Sequence, residues 1–320
     1  MIKFLKLYER FGIFLFIVVG FVFLSIASPN FLKMDTLLNV IAQGTYAAIV
    51  GFGMTLALTS GGFDLSVESV MALSSVLLAI FIPMLGIPLA ILLALAAASF
   101  VGLLNGLIIA KLKVNPLITT LAMQTIIKGA ALLVTGGKMV VIRQKQFMEL
   151  GTGRSFGVPN QIYIMVLFFI IFYIILYHTS FGRQVSAVGS NETATRISGV
   201  NVDLVKVGVY VLIAFTAGLT SVIRTSQALI GLPSMAAGFV LVAITVTILG
   251  GTSLAGGRGN LWGTLLAALF ISMVYYGLNL INLQIFYQML AVGLVLLIAL
   301  FIEGLRVRYL QAAKAKGIKV

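Results

Sequence analysis

Ile87–Ala110 reads IPLAILLALAAASFVGLLNGLIIA, a run without a single charged side chain. About 20 such residues are enough to cross a bilayer as a helix. Phe11–Ala27 and Phe286–Ile302 are runs of the same kind near the two ends of the chain. The 320 residues are 61% hydrophobic and only 9% charged, whereas soluble domains carry roughly 25% charge. One soluble core cannot hide that much apolar surface, so lipid is the solvent for much of it. No small-residue cleavage site follows the first run, and similar runs recur to the far end, which argues against a signal peptide.

Working outward gives ten expected spans, at roughly 11–28, 38–59, 65–84, 87–110, 115–135, 160–178, 206–225, 236–254, 260–281 and 285–303. The fold class is therefore an all-α integral membrane protein, read as one membrane domain over 1–320. Recurrent glycines inside the spans, Gly51, Gly53, Gly102, Gly106, Gly129, Gly208, Gly218 and Gly263, suit close helix packing in lipid.

The net charge of +13 is not a nucleic-acid signature, because no soluble domain carries a basic face. The basic residues sit at the ends of spans, where they report orientation. With the N-terminus inside, Lys3, Lys6, Arg10, Lys111, Lys113, Arg183, Arg196, Lys206, Arg258 and the C-terminal basic cluster are cytoplasmic. Lys33, Lys138, Arg143, Lys145, Arg154 and Arg224 then lie outside, and both termini lie in the cytoplasm. The basic 138–154 loop is the outlier: either it folds as a small structure over the mouth, or a span nearby is misplaced. The chain has no cysteine, which excludes disulfides, thiol catalysis and Cys-ligated metal, and its one histidine, His178, reads as an interface residue.

Three segments break the apolar pattern. Thr59-Ser60-Gly61-Gly62-Phe63-Asp64-Leu65-Ser66-Val67-Glu68-Ser69 puts two glycines and two carboxylates between spans. Asp64 or Ser66 is expected to cap the following helix, with Asp64 and Glu68 four apart on one helical face. A pure cap and a place on a solute path or gate both fit, since carboxylates at membrane depth are functional by default. The second segment, Ser180–Val200, lies in a cytoplasmic loop taken as 180–205. There Asn191 or Ser190 caps a short helix, Glu192 sits in its first turn and Gly199 closes it. A short amphipathic helix on such a loop suits docking to a partner protein. The third, Leu249–Asn260, is glycine-rich but lacks the Gly-Lys-Ser/Thr ending of a phosphate-binding loop, so this chain binds no nucleotide by that route. Polar residues scattered in the spans, among them Asn39, Gln43, Thr55, Asn105, Gln124, Asn279, Asn282 and Gln288, fit packing, capping or a polar conduit alike.

These segments, in this order, resemble the permease subunits of bacterial ribose/xylose/galactose-type ABC importers. Gly53-Met54-Thr55 with Thr59–Ser69, then Gly102–Leu121, Phe181–Val200 and Gly250–Gly259, match four stretches of that family. Leu117 stands where an aromatic is usual, and Phe63 and Glu68 replace an aliphatic residue and a glycine. The amino-acid permeases of the wider superfamily look different at the first stretch. The resemblance implies about ten helices arranged as in the vitamin B12-type (type II) importer fold. It also implies a second permease subunit, homo- or heterodimeric, a cytoplasmic ABC ATPase holding ATP and magnesium, and a periplasmic or lipid-anchored solute-binding protein. The permease itself would hold no cofactor and catalyse no reaction. The resemblance maps Gly189, Asn191, Glu192, Thr193, Arg196, Ser198 and Gly199 onto the segment that meets the ATPase. Gly62, Asp64, Ser66, Glu68 and Asn105 are candidates for the solute path or gate. An ion-coupled secondary carrier is the rival reading, with Asp64 and Glu68 as its ion-binding candidates.

Overall fold

The computed structural model describes residues 2–301 and 304, apart from 285, 289 and 292, with side chains from residue 13 onward. The expected span at 285–303 therefore falls partly outside the described residues. Seven helices are long and apolar enough to cross a membrane: α2 (Met34–Thr59), α3 (Val67–Leu85), α4 (Ile87–Lys111), α5 (Pro116–Thr135), α7 (Asn160–His178), α10 (Val202–Ala228) and α12 (Leu261–Leu280). Three shorter apolar helices accompany them: Ile13–Ala27 within α1 (Ile2–Ala27), α11 (Phe239–Leu249) and a last helix, Phe286–Phe301. Short elements complete the chain: α6 (Glu149–Thr152), α8 (Ser180–Ser190), α9 (Glu192–Ile197) and four two-residue strands.

Local chemistry accounts for several of the boundaries. Asparagine side chains accept from the first-turn N–H groups of four helices, namely Asn115 at α5, Asn191 at α9, Asn201 at α10 and Asn260 at α12. Pro116 follows Asn115 at the first position of α5, where its missing N–H costs nothing. Gly86, at φ +77°, turns α3 into α4 in one residue, a conformation that side chains with a Cβ resist.

α2 is the least apolar of the seven long spans and the most enclosed, with α7, α10, α11 and α12 around it. α4 is the most apolar, and Leu89, Leu92, Phe100 and Leu107 stay exposed on it, as lipid-facing side chains should. α4 and α10 run antiparallel with their backbones close together. A Cβ on Gly102 would overlap the Tyr210 carbonyl, and one on Gly106 would meet Val207 Cα at 2.7 Å. Without a hydrophobic drive between helices in lipid, this close approach supplies van der Waals contact.

The eighth expected span, 236–254, is only partly helical. α11 has 11 residues, hence about 16 Å of length, roughly half of a 30 Å hydrocarbon layer. The segment before it folds back between helices: β4 (Ile230–Gly231) pairs with β1 (Val140–Val141), and Leu232 N–H donates to Ser75 Oγ of α3 at 3.2 Å. The chain reaches the start of α11 by re-entry, with its backbone satisfied by protein rather than lipid. α10 is also longer than its expected 206–225.

The 138–154 loop folds as a small structure. β1 joins β4, β2 (Arg154–Ser155) pairs with β3 (Val158–Pro159), and Phe147 is fully buried. Arg154 reaches Asp35 Oδ1 at 2.7 Å and Asn39 Oδ1 at 3.2 Å, tying this cap to the start of α2.

Candidate functional site

The three segments that interrupt the apolar pattern meet at one end of the bundle. The Thr59 carbonyl, last in α2, accepts the Gly257 N–H at 2.8 Å. Gly189 lies against the same carbonyl, so closely that a Cβ there would overlap it. Gly256 faces the Gly189 carbonyl from the other side, and both Gly256 and Gly257 have positive φ. The glycine-rich reversal is itself closed: Ser253 N–H donates to the Arg258 carbonyl at 3.0 Å, and Asn260 Nδ2 to the Gly250 carbonyl at 2.8 Å. The ends of α2, α8 and α11 are thus pinned together by backbone.

Beyond this junction α9 projects into solvent. Asn191 Oδ1 accepts the Ala194 N–H at 2.9 Å, Glu192 opens the helix, and Gly199 at φ +85° follows its end, as its residues led one to expect. The charges on α9 are engaged with α10. Arg196 Nη2 donates to Asp203 Oδ1 at 2.8 Å and Glu192 Oε1 at 3.3 Å, while Lys206 Nζ donates to Glu192 Oε2 at 2.7 Å. Lys111 of α4 lies 3.8 Å from Asp203 Oδ2. Lys206, ahead of Arg196, holds the Glu192 carboxyl below the usual carboxylate range against a smaller opposing effect of burial. Thr193, Ser198 and Gly199 are exposed, but the salient side chain is Ile197, at 82% exposure on the outermost turn. The motif reading passed over Ile197; an isoleucine in an otherwise polar loop was the available signal.

The candidates of the first segment part company. Asp64 lies in the irregular stretch before α3, not on its face, so Asp64 and Glu68 share no helical surface. Ser66 is the residue before α3, yet it caps nothing with its side chain. Instead its N–H and Oγ–H donate to Asp64 Oδ1 at 2.8 and 2.6 Å, and Asn105 Nδ2 of α4 donates to Ser66 Oγ at 2.9 Å. Leu65 N–H donates to Thr120 Oγ1 of α5 at 3.1 Å, and Tyr210 Oη–H of α10 to the Phe63 carbonyl at 3.1 Å. Asp64, Ser66 and Asn105 are fully buried, and Gly62 sits beside the Tyr210 hydroxyl. Asp64, Ser66 and Asn105 thus join the break to α4, while the Leu65 N–H and the Phe63 carbonyl tie it to α5 and α10.

Glu68 points elsewhere. Its Oε2 accepts the N–H of Gly238, the residue before α11, at 2.8 Å. Gly238 lies on the wall of a cavity of about 430 Å³ between α2, α10, α11, α12 and the last helix. Gln43 and Gln288 line it, as does Arg224, which belongs to α10 rather than to an outer loop. The orientation tally places Arg224 outside; it lies in the last turns of α10, four residues before the helix ends at Ala228, on the cavity wall.

A helical membrane bundle whose chain breaks and re-enters beside a partly open cavity between helices, with a small helix projecting from one end, is the architecture of a polytopic transport protein. The chain belongs to the family described as branched-chain amino acid transport system / permease component, whose model matches residues 36–300. It is 37% identical over 288 residues to the ribose import permease protein RbsC of Escherichia coli (strain K12), covering 88% of this chain and 89% of that one. Against the ribose import permease protein RbsC of Bacillus subtilis (strain 168) it is 37% identical over 298 residues, 92% of each. Against the L-arabinose transport system permease protein AraH of Escherichia coli (strain K12) it is 36% identical over 321 residues, 97% of this chain and 93% of that one. No solved structure matches the chain.

Proposed function

We propose that this chain is the membrane-spanning subunit of an ATP-driven ABC importer for a monosaccharide of the ribose or arabinose kind. Its curated relatives carry those sugars in their names, along most of their length. It is a transport component and not an enzyme; ATP and magnesium belong to a separate cytoplasmic ATPase. A second permease subunit and an extracytoplasmic binding protein complete the importer, set in a bacterial inner membrane with both termini cytoplasmic. The whole of 1–320 acts as one permease domain, and 180–205 is its coupling loop.

The observation that carries the reading is α9. A helix of six residues exposes Ile197 at its tip and is bound at its base to α10 by the Arg196–Asp203 and Glu192–Lys206 pairs. Exposed charge pairs stabilise little, so they serve here to fix α9 in register more than to stabilise the fold. Ile197 suits an apolar pocket on the ATPase, and closure of the ATPase then displaces α9 and α10 together. α10 runs the depth of the bundle to Arg224 and the cavity between helices, so the motion reaches the solute path as a shift between two packings. Asp64, Ser66, Asn105 and Gly62 keep the break in α2–α3 rigid during that motion.

Copurification with the ATPase tests this. Ile197→Asp is expected to lose most of the associated ATPase while the permease keeps its gel-filtration profile. Undiminished copurification would remove α9 from the interface.

A further inference from the structure

The cavity beside α11 has a composition that the proposed transport role does not by itself specify. Its one cationic wall residue, Arg224, takes no part in any ion pair among the described residues. Its guanidinium carbon lies 5.6 Å from the Tyr46 ring centroid and 5.3 Å from that of Phe239. Two aromatic rings therefore share the charge, and a guanidinium on the cavity wall still offers N–H donors at its edge. The Tyr46 hydroxyl donates to Gln227 Oε1 at 2.6 Å, which fixes both groups and leaves the Gln227 amide donors available. Gln43 and Tyr275 extend the same alternation of amide and ring. At about 430 Å³ the cavity has room for one sugar ring with a partial hydration shell.

We propose that this cavity is a transit site for a single uncharged monosaccharide, with Arg224 as its main hydroxyl-binding group. The proposal rests on the importer reading above and deepens it. A sugar ring offers C–H faces to aromatic rings and hydroxyls, which both donate and accept, to guanidinium and amide edges. The combination of Tyr46, Phe239, Arg224 and Gln227 matches both. An acidic sugar fits less well, because the Glu68 carboxylate stands at the rim on Gly238 and repels an anion. The start of α11 at this wall adds donor polarity but is not needed for the assignment.

The chain has no cysteine, which allows a direct test in the full-length protein held in lipid nanodiscs. Ala237→Cys places a thiol at an exposed position on the cavity wall, and Met139→Cys, far out on the 138–154 loop, serves as the control. D-ribose or L-arabinose at high millimolar concentration is expected to slow maleimide labelling of the first several-fold and to leave the second unchanged. D-gluconate is expected to protect less. Adding Arg224→Gln is expected to abolish the protection, and Arg224→Lys to reduce it partly, in protein that still runs as a single gel-filtration peak. Equal labelling with and without sugar overturns the site, as does stronger protection by gluconate than by the pentoses. Full protection in the Arg224→Gln background overturns the role of Arg224. Protection by pentoses with no pentose uptake in the assembled importer would sink the transport reading and leave the site standing; uptake without protection would do the reverse.

Discussion

A carboxylate buried to zero exposure is costly unless its oxygens are used, and Asp64 uses one oxygen twice, for the Ser66 N–H and hydroxyl. None of the ion pairs among the described residues includes it. The geometry therefore asks for an acceptor at Oδ1 rather than for a charge. Asp64→Asn keeps that acceptor, and its abundance and thermal stability in detergent are expected to match the parent. Asp64→Leu strands the buried Ser66 N–H and is expected to cost about 1–3 kcal/mol. An asparagine variant as unstable as the leucine one would show that the charge itself is needed, and would favour an ion-coupled carrier. At the same scale, the motifs named Asp64 and Glu68 but could not show that they face different ways. That depends on where α3 begins, and the two glycines delay the helix until Val67.

Among the elements, α9 is small enough for its charge pairs to matter. Glu192 has its pKa lowered in the folded protein, first by Lys206 and then by Arg196. A lowered carboxylate contributes stability that is complete above its unfolded pKa and is lost as pH falls through the folded one. Hydrogen exchange at the α9 amides is thus expected to be flat through neutral pH and to quicken, after correction for intrinsic rates, in the acid range. In Glu192→Gln that acid quickening should be weaker; an unchanged profile would mean that other groups anchor α9. The short helix itself was legible from the order Ser190-Asn191-Glu192 to Gly199. The half-length of α11 was not, because 236–254 is apolar throughout and apolarity does not tell a crossing from a re-entry. Only contacts from α3 and β1, distant in sequence, distinguish them.

Across the whole molecule, the sequence makes the membrane class plain because lipid forces long apolar runs, and the long helices fall close to the expected spans. The three glycine-bearing segments also stood out, since each departs from that rule. Their convergence did not: Thr59, Gly189 and Gly257 meet through backbone atoms, which leave no side-chain signature beyond the glycines that permit the approach. The cavity was invisible for a similar reason. It draws a few residues from each of five helices that are far apart in sequence, and Arg224 had been counted as an orientation marker. Taken together, the bundle links an exposed knob on α9, through α10, to a cavity of mixed apolar and polar lining some eighteen residues further along that helix, at about 1.5 Å per residue.

Radiolabelled pentose uptake into proteoliposomes tests that linkage most directly. This chain would be reconstituted with its ATPase, with the binding protein outside the vesicles and ATP on the ATPase side. Accumulation is expected only with ATP and loaded binding protein, falling to background in Ile197→Asp although the variant remains folded in the membrane. Accumulation driven by a proton or sodium gradient through this chain alone, indifferent to ATP and to Ile197, would contradict the ATP-driven importer and establish a secondary carrier in its place.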